Sequence, residues 1–399
     1  MNTFATALPL ALAYLRERPL ATILNILLLG LGVGTIIALA LTLSQLEERM
    51  DRDAAGIDLV IGAKGSPLQL ILSTVFQIDI PTGNISVAEA AKVIADPVVK
   101  QVIPLALGDS FKTFRIVGTN AAYVELYAAS LQTGRLWNAP LEAVVGAEVA
   151  RRTGLASDMA FAGSHGLTDG GGGHAEHPYT VVGVLKPTGS VIDRVILTAV
   201  ESVWKVHAHA SESADHDNGT EVTAYLIQYA TPLAAASFPR MVNASSGLQA
   251  AAPAMETARL FNLLGVGITV LKSFAVIMML CAALGIFVGL MNALDERRAD
   301  LALLRVLGAS RATVFLTIIS QGAALGLAGV ILGGIIGHAG AEWIGVALEK
   351  NQRMALTGFT LIREEFWVVA GAMGLAVLAG LFPAWRAYRN AVPELLSRA

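Results

Sequence analysis

Charge and cysteine are both scarce in this chain. Asp, Glu, Lys and Arg supply 15% of its 399 residues, where soluble domains carry about a quarter. So little charge excludes a purely soluble globular protein. The net charge of −3 provides no basic face and excludes an electrostatic case for nucleic acid as a partner. The single cysteine, Cys281, stands inside an apolar run. Without a pair it builds no internal disulfide framework, which leaves the redox compartment of the polar part open. Catalytic signatures are missing too. No G-x-x-x-x-G-K-[ST] phosphate loop occurs, and the nearest stretch, Gly62-Ala63-Lys64-Gly65-Ser66, reads as a turn after a strand. No nucleophile–base constellation stands out, so the chain reads as a non-catalytic subunit with no cofactor of its own.

What the chain has is apolar length. Hydrophobic residues make up 54% and mean hydropathy is +0.61. Four uncharged runs, 19–46, 273–294, 312–341 and 366–385, reach the roughly 20 residues that a helix needs to cross a bilayer. The first is longer than the ~7–15 apolar residues of a cleaved leader and reads as a retained span. Lys and Arg near the span ends set orientation. Arg16 and Arg18 precede the first run, Arg297, Arg298, Arg305 and Arg311 lie between the second and third, and Arg386, Arg389 and Arg398 follow the fourth. The opposing loop dilutes Lys350, Arg353 and Arg363 with Glu349, Glu364 and Glu365. Both termini and the loop between runs two and three are thereby expected in the cytoplasm, and the segment from Glu47 to about Arg259 outside. Phe4, Leu8, Leu12 and Leu15 recur at helical spacing ahead of the first run; they read as an interfacial helix on membrane lipid or as an extension of the span. Lys272 marks the outer end of the second span, where its long side chain reaches the interface.

Between runs one and two the pattern turns to short β-rich segments at 57–63, 114–118, 143–146, 179–185 and 191–197. Helices are expected at 66–76 and 87–95, the latter capped by Ser86, and 144–152 passes from strand to short helix. The fold class is then an α-helical membrane protein with four transmembrane helices and a large α+β extracytoplasmic domain, of two lobes, inserted between helices 1 and 2.

Six of the seven histidines fall in two tracts of that domain. One holds His165, His174 and His177 among glycines, with Asp169 and Glu176; the other holds His207, His209 and His216 with Glu212, Asp215 and Asp217. Imidazole and carboxylate suit zinc or another late first-row ion. No spacing forms a defined motif such as H-E-x-x-H, so two readings stand: a zinc-binding arm, or solvated loops. His338, toward the outer end of the third span, reads as a packing or interfacial residue.

The stretch after the second span, ERRADLALLRVLGASR at 296–311, reads first as a short amphipathic helix. Leu301, Leu304 and Leu307 form its apolar stripe, Gly308 is placed to end it, and Ser310 to cap the next helix. This stretch resembles the signature of FtsX-like permeases, the family that includes the macrolide-exporter and lipoprotein-release membrane subunits. LFPAWRAYRNAVPELL at 381–396 resembles the closing pattern of that family through Pro383, Ala384, Ala387, Pro393, Glu394 and Leu396. GRLWNAPLEAVVGAEVARRTGL at 134–155 and YTVVGVLKPTGSVIDRVIL at 179–197 are similar to its external core domain.

The resemblance implies a permease subunit of an ABC-type machine, working as a dimer with a second copy or a related permease chain. A separate ABC ATPase binds ATP and Mg, and its closure moves the external domain by mechanotransmission. The segment 295–311 becomes the cytoplasmic coupling helix, with Glu296, Arg297, Arg298, Asp300, Leu301, Leu304, Arg305, Leu307, Gly308 and Arg311 as ATPase-contact and positioning residues. The implied division is an interfacial helix at 1–18, spans at 19–46, 312–341 and 366–385, and an external domain with stalk segments at 47–259. Stalk and second span occupy 260–294, a short external loop 342–365, and a cytoplasmic tail 386–399. Export of a lipoprotein, peptide, antibiotic or metal-linked substrate from a bacterial inner membrane is expected, with a periplasmic adaptor or substrate-binding protein as a further partner. The alternative is a signal transducer acting on an external partner such as a cell-wall hydrolase. The histidine tracts depart from the compact pattern of the family's external domain, which leaves the substrate open.

Overall fold

A computed structural model of the chain describes residues 3–165, 176–207, 220–297, 303, 305–306, 308–352 and 356–389. They gather into two units, Glu47–Leu263 and, around it in sequence, Met1–Leu46 with Leu264–Ala399. The chain opens with α1 (Thr3–Glu17), which accommodates Pro9, followed by α2 (Pro19–Ala54).

The inserted unit runs β1 (Leu59–Ala63), α3 (Pro67–Thr74), β2 (Ile85–Ser86), α4 (Val87–Ile94), β3 (Val99–Phe111), β4 (Phe114–Thr119), α5 (Ala121–Leu126) and β5 (Leu131–Gly134). It continues through β6 (Glu142–Val145), α6 (Ala147–Thr153), β7 (Ala160–Phe161), β8 (Ser164–His165), β9 (Tyr179–Leu185), β10 (Val195–Ala199) and α7 (Val200–His207). The last elements are β11 (Glu221–Val222), β12 (Ala224–Tyr229), α8 (Phe238–Ser245) and β13 (Leu248–Ala251). Among the described residues the main sheet has the order β13-β1-β12-β3-β4-β10-β6-β9-β5, with β7 on β9 and β8 on β3. It is mixed: β4 with β10 and β6 with β9 pair parallel, the other pairs antiparallel. Two buried clusters give the unit its two lobes. One gathers Leu59, Ile61, Tyr225, Ile227, Phe238 and Leu248; the other gathers Ile116, Val145, Phe161, Tyr179, Val181 and Ile196.

Ser66 caps α3, its hydroxyl accepting from the Gln69 amide at 3.3 Å. Ser86 occupies the corresponding place before α4 without a side-chain cap, because its backbone is engaged in β2, opposite Glu221. The segment expected as one strand at 191–197 begins instead as a 3-10 turn, Val191–Arg194, and becomes strand only at Val195. Lys64 of the false phosphate loop donates to the Ser246 carbonyl at 3.0 Å. Arg115, buried on β4, donates to the Ser73 and Asp79 carbonyls at 3.0 and 2.8 Å. Burial pushes it down to about 10, so it stays charged at neutral pH.

Three long helices follow: α9 (Pro253–Glu296), α10 (Arg311–Gln352) and α11 (Arg363–Arg389). With α2 they are the four described helices long and apolar enough to cross a membrane. They outrun the uncharged runs because charge ends an apolar stretch without ending a helix; α10 carries Glu342 within it. Leu20, Trp343, Trp367 and Phe366 are largely exposed, a surface suited to lipid rather than water. Contact between α2 and α10 rests on a row of glycines one turn apart. Leu29, Val33 and Ile37, all at most 1% exposed, sit over Gly329, Gly333 and Gly337, where an added Cβ meets each of them at 2.6 Å. Small residues let helix backbones approach in this way. Gly333→Leu is expected to cost about 1–3 kcal/mol through overpacking, seen as a lower unfolding midpoint in detergent. Gly334→Leu, with nothing within 4 Å of its Cβ, is expected to leave the midpoint unchanged.

Candidate functional site

The segments 134–155 and 179–197 lie in the middle of the inserted unit, and Arg194 of the second reaches Asp53 near the unit's start. Gly134 has φ of +77° and lies so close to β9 that a Cβ would stand 2.1 Å from the Val182 carbonyl, so only glycine fits. Next to it Arg135 pairs with Glu142, donating at 2.7 Å, and the Asn138 amide donates to the same carboxylate at 2.8 Å. These bonds hold Glu142 down at about 2, the Arg135 contact contributing most. A depressed carboxyl contributes stability that is full above its ordinary value near 4.5 and is lost as pH falls toward 2. Glu142→Gln is therefore expected to melt below wild type at neutral pH, with the gap closing between about pH 4.5 and 2. A gap constant across that range would rule out the Glu142 charge as its source.

Asp193 shapes the other half. Its carboxylate accepts from the Thr188 amide at 2.9 Å, the Thr188 hydroxyl at 2.9 Å and the Gly189 amide at 2.7 Å. Gly189 takes φ of +77°, the left-handed conformation that the turn needs. The turn presents Arg194 to Asp53, near the domain end of α2, at 2.6 Å. Both are buried, the Asp53 side chain at 2% exposure and Arg194 at 11%. Tyr127 donates to the Asp53 carbonyl at 2.7 Å. The end of α2 is thus held to the sheet by a buried ion pair. Sequence reading missed it: the partners lie 141 residues apart, and nothing local marks Asp53 among Asp51, Arg52 and its other charged neighbours.

In the helical unit, the residues expected to contact an ATPase divide. Glu296 pairs with Arg18, and Arg297 pairs with Glu17. The Arg297 guanidinium also lies 3.9 Å from the Tyr14 ring centroid, a cation–π arrangement. Arg297 is only 12% exposed, so it ties α9 to α1. Arg298, Asp300, Leu301, Leu304 and Leu307 lie outside the described residues. Leu303, Arg305 and Val306 are helical, Arg311 is exposed, and Gly308 takes φ of +97° at the end of the segment. Ser310 accepts from the Thr313 amide at 3.1 Å and caps α10. Leu303 and Val306, omitted from the expected set, are 60% and 65% exposed.

At the other end of this unit His338 has a polar setting. Its Nδ1 faces the Gly358 carbonyl and its Nε2 lies 3.3 Å from Glu365. Glu342 accepts from the Gly358 amide at 2.7 Å, and Gln45 accepts from the Thr357 amide at 2.9 Å. These bonds fix the link between α10 and α11.

Of the six clustered histidines, His174, His209 and His216 lie outside the described residues. His165 belongs to β8, paired with Asp109 of β3. His177 is half-buried ahead of β9. His207, the last residue of α7, has Nε2 3.4 Å from Asp109 Oδ2. Among the described residues no group of three or more His, Cys, Asp or Glu is placed to hold a metal.

Residues 22–238 match the MacB-like periplasmic core domain, and residues 272–392 match the FtsX-like permease C-terminal family. An apolar helix, an inserted mixed-sheet domain and three further apolar helices are the arrangement of that class, and the chain belongs to the FtsX-like permeases of ABC transporters with a MacB-like core domain. In particular, it is similar to the lipoprotein-releasing system transmembrane protein LolC of Xylella fastidiosa, strains Temecula1 and 9a5c, at 28% identity over 159 residues. That match covers 35% of this chain and 38% of each relative, so the similarity spans well under half the length of the curated relatives. The extracellular domain of YknZ, a noncanonic ABC-type transporter from Gram-positive bacteria, aligns over 49% of this chain and 98% of that one, at 14% identity and a TM-score of 0.32.

Proposed function

We propose that this chain is the non-catalytic membrane subunit of an export machine of the bacterial inner membrane, driven by a separate ABC ATPase that binds ATP and Mg. It acts beside a second permease copy or a related chain. Closure of the ATPase moves the segment 295–311, and the inserted domain responds outside the membrane to extrude its substrate. A periplasmic adaptor or substrate-binding protein fits the same scheme. The observation that carries the reading is the buried Asp53–Arg194 pair: a helix that merely tethered a domain would need no such fastening, whereas one that transmits force does. The pairs from Glu296 and Arg297 to Arg18 and Glu17 support it from the other end, since they tie the start of the coupling segment to the end of α1 and its link to α2.

The test is ATP hydrolysis in the complex purified through this chain from its native membrane, with spin labels on the inserted domain. Nucleotide-dependent hydrolysis, accompanied by a change in label-to-label distance across the dimer, is the expected result. Hydrolysis with an unmoved domain would remove the transmission reading, and a complex without hydrolysis would remove the ABC assignment of function.

A further inference from the structure

We infer that the cavity between the domain end of α2 and the start of α9 is a binding site for an amphiphilic organic cation, an ammonium group carried on an apolar body. The inference rests on the permease reading for the ligand's role as substrate, and on the cavity alone for its binding.

The cavity has a volume of about 380 Å³, within the roughly 300–1,000 Å³ of small-molecule sites. All of its walls belong to the inserted unit. Six of the nine lining residues are apolar; Ile57 and Phe261 are the largest, and the others are alanine and proline. The three polar ones are Glu47, Asp51 and Thr257. A mostly apolar wall with a few convergent polar groups is the usual make-up of a small-ligand site.

Charge selects the ligand. Glu47 and Asp51 stand one turn apart on α2, a spacing that puts both on one helix face and sets like charges against each other. Both are exposed, and among the described residues neither side chain has an ion pair or a hydrogen bond. No Lys or Arg lines the cavity. An anion there would meet two uncompensated carboxylates, whereas a cation relieves their repulsion. Thr257 is a separate pointer. It is 8% exposed, and its hydroxyl has no hydrogen-bond partner among the described residues. A buried polar group left unpaired is costly, and an ammonium N–H would donate to it. The same inventory disfavours a bare metal ion. Calcium takes about 6–8 oxygen ligands, and among the described residues no group of three His, Cys, Asp or Glu is placed to hold a metal. Position in the chain agrees with an amphiphile. Glu47 is the first charge after the uncharged run 19–46, and amphiphiles keep their charged end at the water boundary of a membrane.

The test titrates monodansylcadaverine, a primary ammonium on an apolar fluorescent ring system, onto the full chain in phosphatidylcholine nanodiscs without nucleotide. Empty nanodiscs are the blank. Wild type is expected to bind the probe saturably, with a blue shift in emission, and to bind its N-acetylated, uncharged form roughly tenfold more weakly or worse. Glu47→Gln with Asp51→Asn is expected to cost the charged probe roughly tenfold or more. Ala258→Phe, which fills the cavity and leaves both charges in place, is expected to cost as much. Glu47, Asp51 and Ala258 are all exposed, so these variants keep the fold. Thr257→Val, close in shape, is expected to weaken the charged probe about threefold and the acetylated one not at all. Equal binding of the two probes, or wild-type affinity in the charge variant or in Ala258→Phe, would overturn the site. No saturable binding by wild type would overturn it outright. ATP-linked movement without probe binding removes the site alone, and probe binding without ATP-linked movement removes only its transport role.

Discussion

Arg194→Ala is expected to destabilise the inserted domain by about 3–5 kcal/mol, because it leaves the Asp53 carboxylate buried without its counter-charge. With Asp53 at 2% exposure, water does not reach it to compensate. The double variant Asp53→Ala, Arg194→Ala is expected to recover part of the loss, since the burden lies in the stranded charge more than in the missing bond. Hydrogen exchange reads the effect locally: amides of residues 190–197 and of the domain end of α2 should lose protection together in the single variant. In the assembled machine the same variant should still hydrolyse ATP while the domain label moves less. Wild-type exchange in Arg194→Ala would show that the fastening lies elsewhere.

The second large effect concerns Leu303 and Val306, two exposed apolar side chains three positions apart on the segment between α9 and α10. Residues at that spacing share a helix face, and truncating a central apolar anchor at an interface costs about 2 kcal/mol or more. Leu303→Asp with Val306→Asp is therefore expected to weaken ATPase assembly by about a hundredfold or more. Assembly is measured by titrating the purified ATPase onto the chain in nanodiscs. Unchanged affinity would move the contact to the neighbouring residues 298–301. Glu296→Gln and Arg297→Gln should act differently, because their partners are Arg18, in the link between α1 and α2, and Glu17, the last residue of α1. Both should leave ATPase affinity near wild type and loosen α1, read as protease cleavage near Glu17.

The parts most legible in the sequence were those governed by local pattern. Four uncharged runs of membrane length announce themselves, and alternation placed β1, β4, β6 and β9 closely. The long strand β3 and the strands β12 and β13 escaped notice. Val99–Phe111 contains Pro104 and a shift of register against each neighbour, β4 and β12, which obscure its periodicity. Tyr225 and Ile227 on β12 pair with Pro104 and Val102 of β3, more than a hundred residues away, so no neighbouring hairpin marks the strand. Glu296 and Arg297 illustrate a different limit. A motif singles out a segment, but it does not separate side chains that face outward from those tying the segment to its own chain. Leu303 and Val306 were passed over because the stripe of Leu301, Leu304 and Leu307 has the same helical period, and period alone does not choose between faces.

The row of glycines on α10 also bears on how the chain is made. Leu29, Val33 and Ile37 emerge from the ribosome about 300 residues before Gly329, Gly333 and Gly337, which at about 5–20 residues per second is a delay of about 15–60 s. During that interval α2 has been synthesised while the groove that receives it has not. The whole sheet domain is synthesised before α2 can meet that groove. A membrane chaperone or protease that recognises unmatched helices has that interval in which to act, and variants that slow the intervening domain lengthen it.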